Sequence, residues 1–259
     1  MIKRFFTSLL AALSMYTRIP AWRLATLERQ DYAEAVHWLP FVGLVTGGTM
    51  AGVFYLCYQL LALPILTAII LALAARLLLT GAFHEDGLGD FFDGFGGGRD
   101  REGILRIMKD SHVGSYAVIG YIIYYALLIS ILTALPTDLI PSAFILADVL
   151  GKLCGTLPVY YLPYARREED SKIGLSYHRG GQVQSLLLLG LFFAAPYILG
   201  YSILHFLILP LILIVALGYY IYRQIGGYTG DTCGACILLS ELMVLLGMLL
   251  FGFRASCPI

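Results

Sequence analysis

Charge is scarce in this 259-residue chain. Only 13% of its residues are Asp, Glu, Lys or Arg, 17 of each sign, and the formal net charge is zero. Soluble globular domains carry about 25% charged residues. A polar coat half that size excludes an ordinary soluble domain, and zero net charge gives no hint of a nucleic-acid partner. Cysteine is sparse as well: Cys57, Cys154, Cys233, Cys236 and Cys257. An odd count, with three in or beside apolar runs, suits no disulfide framework. Cys233 and Cys236 form a C-x-x-C, but no second Cys or His pair stands near them. Packing is therefore preferred to zinc or redox use. No internal repeat is visible, which weakens an inverted-repeat transporter reading.

Apolar residues fill the space that charge leaves. They make up 59% of the chain, and the mean hydropathy is +0.81. Several runs reach the roughly 20 residues that span a bilayer core. Seven spans are predicted, at about 39–62, 64–83, 114–135, 139–162, 183–201, 203–222 and 234–253. Ahead of them, Lys3 and Arg4 open an apolar run to Leu13 that is too short to span. The following "SMYTRIP" is a poor cleavage region, so an amphipathic interfacial helix fits better than a signal peptide. The expected fold is all-α: a polytopic helical membrane protein of about seven transmembrane helices plus that N-terminal helix, forming one integral membrane domain over residues 1–259. Gly43, Gly47, Gly48 and Gly52 have the small-residue spacing of close helix packing, within the chain or in a homo-oligomer.

Basic residues set the orientation. They fall in the N-terminal arm (Lys3, Arg4, Arg18, Arg23, Arg29), after span two (Arg99, Arg101, Arg106, Lys109), after span four (Arg166, Arg167, Lys172, Arg179) and after span six (Arg223). The intervening connections carry none. Every basic segment then faces one side, expected to be the cytoplasm, and the other side has only tight turns. A receptor for external ligands would need outer loops that this chain lacks.

The densest polar stretch is "GAFHEDGLGDFFDGFGGGRD", residues 81–100. Asp86, Asp90 and Asp93 stand at i, i+4 and i+7, which on a helix is one face. Three like charges repel, and near a membrane each is costly to desolvate. A hard divalent cation relieves both costs, and Mg²⁺ or Mn²⁺ commonly bridges a few carboxylates to phosphate. Gly87 and Gly89 would let a phosphate approach the backbone, and "GFGGG" (94–98) marks a turn. His84, expected to adjoin these acids, is a candidate for proton transfer.

Other signals are less specific. In "GGYTGDTCGA" (226–235), Thr229 or Asp231 caps a helix, or Asp231 with Thr229 and Thr232 meets metal or phosphate at its N-terminus. In "RIMKDSHVGSY" (106–116), Arg106 and Lys109 offer cations to phosphate, and Asp110 is a second candidate base. Arg166 and Arg167 belong to an ordinary basic loop or bind substrate. Lys152, inside span four, either neutralises Asp148 one turn earlier or reaches a substrate anion. Glu241 is a buried acid that pairs with Arg76 or Lys152, or has a function of its own.

"FHEDGLGDFFDG" resembles the H-x-D-G-L-x-D-x-x-D-G signature of the cobalamin synthase family, also called adenosylcobinamide-GDP ribazoletransferase. "LSMYTRIP", "LPFVGLVTGG", "RIMKDSHVGSYA", "YAR" and "YTGDTCGACILLSEL" are similar to that family's blocks in the same order, over nearly the whole chain. Two features depart from it: Lys152 where the family commonly has arginine, and the insert "RREEDSK" (166–172).

The resemblance implies the last assembly step of cobalamin. Adenosylcobinamide-GDP and α-ribazole, or its 5'-phosphate, give adenosylcobalamin, or its phosphate, and GMP. It implies a multi-pass enzyme of the cell inner membrane that uses Mg²⁺, with its active site on the cytoplasmic face. On this reading Asp86, Asp90, Asp93 and Asp231 hold metal. Arg106, Lys109, Lys152, Arg166, Arg167, Thr229 and Thr232 meet substrate, and His84 or Asp110 is the base. A CDP-alcohol phosphotransferase would carry an A-R pair and longer aspartate spacing. A cation transporter would place its acids near the bilayer midplane.

Overall fold

A computed structural model describes residues 2–166 and 203–251. Among them the chain is helical, with no strand and one isolated parallel bridge, Tyr164 to Tyr228. It opens with α1 (Ile2–Tyr16) and a short α2 (Arg29–Ala33). Then come α3 (Leu39–Tyr55), prolonged to Leu60 by a π turn, and α4 (Ile65–Thr80). Next are α5 (Phe83–Gly97), α6 (Arg101–Ile107) and α7 (Ser115–Ala134). Last are α8 (Ile140–Gly155), α9 (Pro158–Tyr161), α10 (Ile203–Ile225) and α11 (Gly230–Phe251).

Five helical stretches are long and apolar enough to cross a membrane, and a sixth is reached if α4 and α5 count as one bent span. The protein is an all-α, multi-pass membrane protein. Six of the seven predicted spans fall on helices. The seventh, 183–201, lies outside the described residues, as do Arg167 and most of the basic loop.

The structure corrects the second span. α4 has 16 residues and rises about 24 Å, short of a bilayer core of about 30 Å. Gly81 and Ala82 both take left-handed backbone, at φ 66° and 58°, and α5 leaves at 93° to α4. The carboxylate helix therefore lies across the end of the bundle.

Glycines let the bundle close. A Cβ at Gly43 or Gly47 of α3 would stand 2.9 or 2.8 Å from a backbone Cα of α8. On α8 itself, a Cβ at Gly151 or Gly155 would stand 3.0 or 2.4 Å from a Cα of α11. α8 is thus gripped on two sides at backbone contact. Among the described residues Gly48 and Gly52 have nothing within 4 Å, so half of the predicted stripe closes a contact there. Gly155→Leu is expected to cost about 1–3 kcal/mol or more, because backbone cannot yield as a side chain can. Gly48→Leu should be near neutral, and the melting temperatures of the two variants in detergent check both.

A smaller apolar cluster docks α1 on the bundle. It joins Tyr16 and Ala12 to Val36, Trp38, Leu39 and Val159. Trp38 Nε1 donates to Ser8 at 2.9 Å, and Thr7 donates to Asp31 at 2.6 Å. Phe5 meets the Trp38 ring edge-on at 4.6 Å while staying partly open, and Phe6 is exposed.

Candidate active site

The site forms where α5 crosses the start of α11. A Cβ at Gly87 would lie 2.9 Å from the Asp231 carbonyl oxygen, and one at Gly234 would lie 3.1 Å from that of His84. The glycine beside Asp86 therefore admits a helix backbone, where a phosphate was expected. Gly89 lies beneath Tyr121, which donates to the Glu85 carbonyl at 2.8 Å. The expected turn at 94–98 is helix up to Gly97, with Gly94 beneath Met108 and Gly96 beneath Tyr116. These glycines let α6, α7 and α11 close around α5.

Two threonines begin α11. Thr229 N–H donates to Thr232 Oγ1 at 2.8 Å, and Thr232 N–H donates back to Thr229 Oγ1 at 3.1 Å. Both residues are buried, so they carry the capping role that was one of the two readings. Asp231 is thereby released from capping. Its carboxylate pairs with Arg166 at 3.1 Å.

Arg166 reaches Asp231 because two loops are joined by backbone. Tyr228 N–H donates to the Pro163 carbonyl and Ala165 N–H to the Tyr228 carbonyl, both at 2.9 Å. Gly227 is required there, since a Cβ would fall 2.1 Å from the Pro163 oxygen. Arg101 fastens both loops, donating to Ile225 O at 2.9 Å and to Ala165 O at 2.6 Å. Sequence reasoning placed Arg101 among the basic loop residues and missed this role. Nothing in its local pattern separates it from Arg99 or Arg106.

Two cavities flank the Arg166–Asp231 pair. One, of about 140 Å³, is lined by Asp86, Asp231 and Arg166 together with His84, Tyr16 and Phe83. The other, of about 560 Å³, is lined by Arg101, Arg106, Lys109 and Arg166. The fold thus gathers Asp86, His84, Asp231, Arg106, Lys109 and Arg166 about one centre.

Other predicted residues sit elsewhere. Asp90 is half-buried one turn beyond Asp86 and lines neither cavity. Asp93 accepts from Gly114 N–H at 2.7 Å and Ala117 N–H at 2.9 Å, which holds the start of α7. Lys152 is buried in its pair with Asp148 and donates to Thr46 at 3.3 Å. Of its two readings, self-neutralisation is the one observed. Glu241 accepts from Arg76 at 2.5 Å and from Tyr124 at 3.2 Å. His84 is 4% exposed and is set against aromatic rings: it stacks on Tyr16 and meets Phe83 edge-on. Among the described residues, no group of three or more His, Cys, Asp or Glu is arranged to hold a metal ion by itself.

Asp110 is exposed and turned toward His112, which binds it through Nδ1 at 2.6 Å and through N–H at 3.0 Å. These hydrogen bonds hold the Asp110 carboxyl below its ordinary range and raise the His112 imidazole above its own. Because His112 is raised and Asp110 lowered in the folded state, the contact is complete between the carboxyl's lowered range and about pH 6.5, and is lost as pH rises through the raised imidazole value. An NMR titration of the His112 ring should show that upward shift, and Asp110→Asn should return it to the ordinary range.

The profile of the cobalamin-5-phosphate synthase family (CobS) matches residues 8–249. The chain belongs to that family. Similar curated proteins include the adenosylcobinamide-GDP ribazoletransferases of Desulfitobacterium hafniense strain Y51, Shewanella sp. strain W3-18-1 and Clostridium novyi strain NT. Their identities are 35% over 246 residues, 35% over 247 and 34% over 250. These matches cover 91%, 94% and 94% of this chain, and 94%, 94% and 97% of the relative. No solved structure matches the chain. As a CobS-family protein it is an enzyme of cobalamin biosynthesis, and the crossing of α5 with α11 lies within the matched residues.

Proposed function

We propose that this enzyme joins adenosylcobinamide-GDP to α-ribazole 5'-phosphate, or to α-ribazole, with release of GMP. The relatives' shared name supports the reaction. The observation that carries the site is the meeting of Asp86, Asp231 and Arg166 at the α5–α11 crossing, next to a basic cavity. A ribose hydroxyl of the nucleoside attacks the phosphorus nearer the corrinoid. A P–O bond forms there, the bridging P–O bond to GMP breaks, and the hydroxyl proton is lost. Arg166, Arg106 and Lys109 face the charge that gathers on the departing phosphate. The same cations suit the extra phosphate of the 5'-phosphorylated nucleoside.

The acids fit Mg²⁺ in the way that ion is commonly held, by one or two carboxylates plus substrate phosphate oxygens. Asp86 and Asp231 supply hard oxygens from two helices in backbone contact, and Asp90 stands one turn away on the face of Asp86. No larger protein cage is needed. When bound, Mg²⁺ would supply Lewis-acid neutralisation of the pyrophosphate.

The working face is the cytoplasmic face of the inner membrane, because the basic segments of α6, Arg166 and Arg223 share the end of the bundle that holds the site. The purified protein in detergent, given GDP-cobinamide and α-ribazole 5'-phosphate, should release GMP with Mg²⁺ and stop with EDTA. No GMP release, or turnover of a CDP-activated lipid instead, would reject this assignment.

A further inference from the structure

Resting on the proposed reaction, we infer that the 140 Å³ cavity seats the base of the incoming nucleoside. That base is an apolar, bicyclic heteroaromatic ring with one free ring nitrogen, and His84 Nε2–H donates to that nitrogen. The cavity's dimensions and walls carry the assignment. About 140 Å³ is open in it, space for a small ring system. A corrin macrocycle cannot enter. Its lining includes Tyr16, Val36, Leu39, Phe83, Val159 and Ile237, which are apolar or aromatic and suited to a ring face.

Guanine is a poor occupant for a different reason. Its edge carries several donors and acceptors, and each one left unpaired in such a wall is penalised. Besides the hydroxyls of Tyr16, Thr156 and Tyr164, this lining offers one buried ring nitrogen. His84 lines the cavity, is 4% exposed, and among the described residues its Nε2 has no hydrogen-bond partner. One orphaned donor answers one ring acceptor. Asp86, Arg166 and Asp231 line the same cavity, and there the sugar hydroxyl would meet the phosphate. His84 so used is a specificity-determining residue.

The test compares two ribonucleosides, one with benzimidazole and one with indole, in which a C–H replaces the free ring nitrogen. GMP release is measured with saturating GDP-cobinamide. The wild type should prefer benzimidazole by about 3–10-fold in kcat/KM, the range of one hydrogen bond. His84→Ala should abolish that preference mainly through KM, and His84→Gln, which keeps an N–H donor, should restore part of it. Val159→Trp, which fills the cavity, should raise KM for the nucleoside without changing KM for GDP-cobinamide. An equal fall in kcat for both nucleosides in His84→Ala would make His84 a base and overturn the inference. So would an unchanged preference, or its absence in the wild type. If the wild type turns over neither nucleoside, the proposed reaction fails instead. Calorimetric binding of benzimidazole ribonucleoside, lost in Val159→Trp, would still report on the cavity without turnover.

Discussion

Asp86→Asn is expected to lower GMP release by at least about 10³-fold while leaving the protein folded in the membrane. A factor of 10³ corresponds to about 4 kcal/mol of transition-state stabilisation. Electrostatic and metal-assisted stabilisation of a phosphoryl transfer supplies this order of energy at a single residue. Asp86 is exposed and lines the cavity, and stability does not depend on its charge in any interaction described above. The amide keeps the shape and removes the negative charge, so a loss reports on charge at the reacting phosphate. Asp93 is the internal control. Its carboxylate accepts from Gly114 and Ala117 N–H, and an amide can accept through one oxygen only. Asp93→Asn should cost about 0.5–2 kcal/mol of stability at that helix start and reduce turnover far less than Asp86→Asn. If the two variants lose activity alike, the i, i+4, i+7 acids act as one set and the structural division between them is wrong.

That division shows what the sequence could and could not convey. Helical periodicity placed Asp86, Asp90 and Asp93 on one face, and α5 is helical throughout that stretch. Periodicity says nothing about which neighbour a carboxylate meets, and the start of α7, some twenty residues on, takes Asp93. The apolar spans were legible because bilayer thickness acts on composition alone. The break at Gly81 and Ala82 was not, because alanine at positive φ is a tertiary outcome with no sequence signature. Gly87 and Gly89 were visible as glycines, but their partners, the Asp231 backbone and the Tyr121 ring, come from more than 30 residues away. Arg166 was visible as a loop cation. Its pairing with Asp231 depends on a two-bond backbone bridge between distant loops, which no local pattern encodes.

Arg76→Met is expected to be among the most destabilising substitutions in the chain, at about 3–5 kcal/mol, because it leaves buried carboxylates without their counter-charge. Arg76 is 2% exposed on α4 and bonds Glu241 of α11 at 2.5 Å and Glu85 of α5 at 3.3 Å. Tyr124 of α7 donates to the same Glu241. One guanidinium thus ties three helices beneath the α4–α5 bend, and Glu85 is the residue immediately before Asp86. For a chain of this size each kcal/mol moves the midpoint by about 2–4 °C, so the melting temperature in detergent should fall by on the order of 10 °C. The triple variant Arg76→Met/Glu85→Gln/Glu241→Gln removes all three charges together and should recover most of that loss, since a buried ion pair replaced whole is often near neutral. The two readouts should then separate. The triple variant can regain stability yet remain slow, because Glu85 no longer holds the first turn of α5 against α4 by charge and Asp86 loses its fixed position. If the triple variant melts as low as Arg76→Met, the loss comes from packing of the arginine stem, and the cluster's charges do not anchor α5.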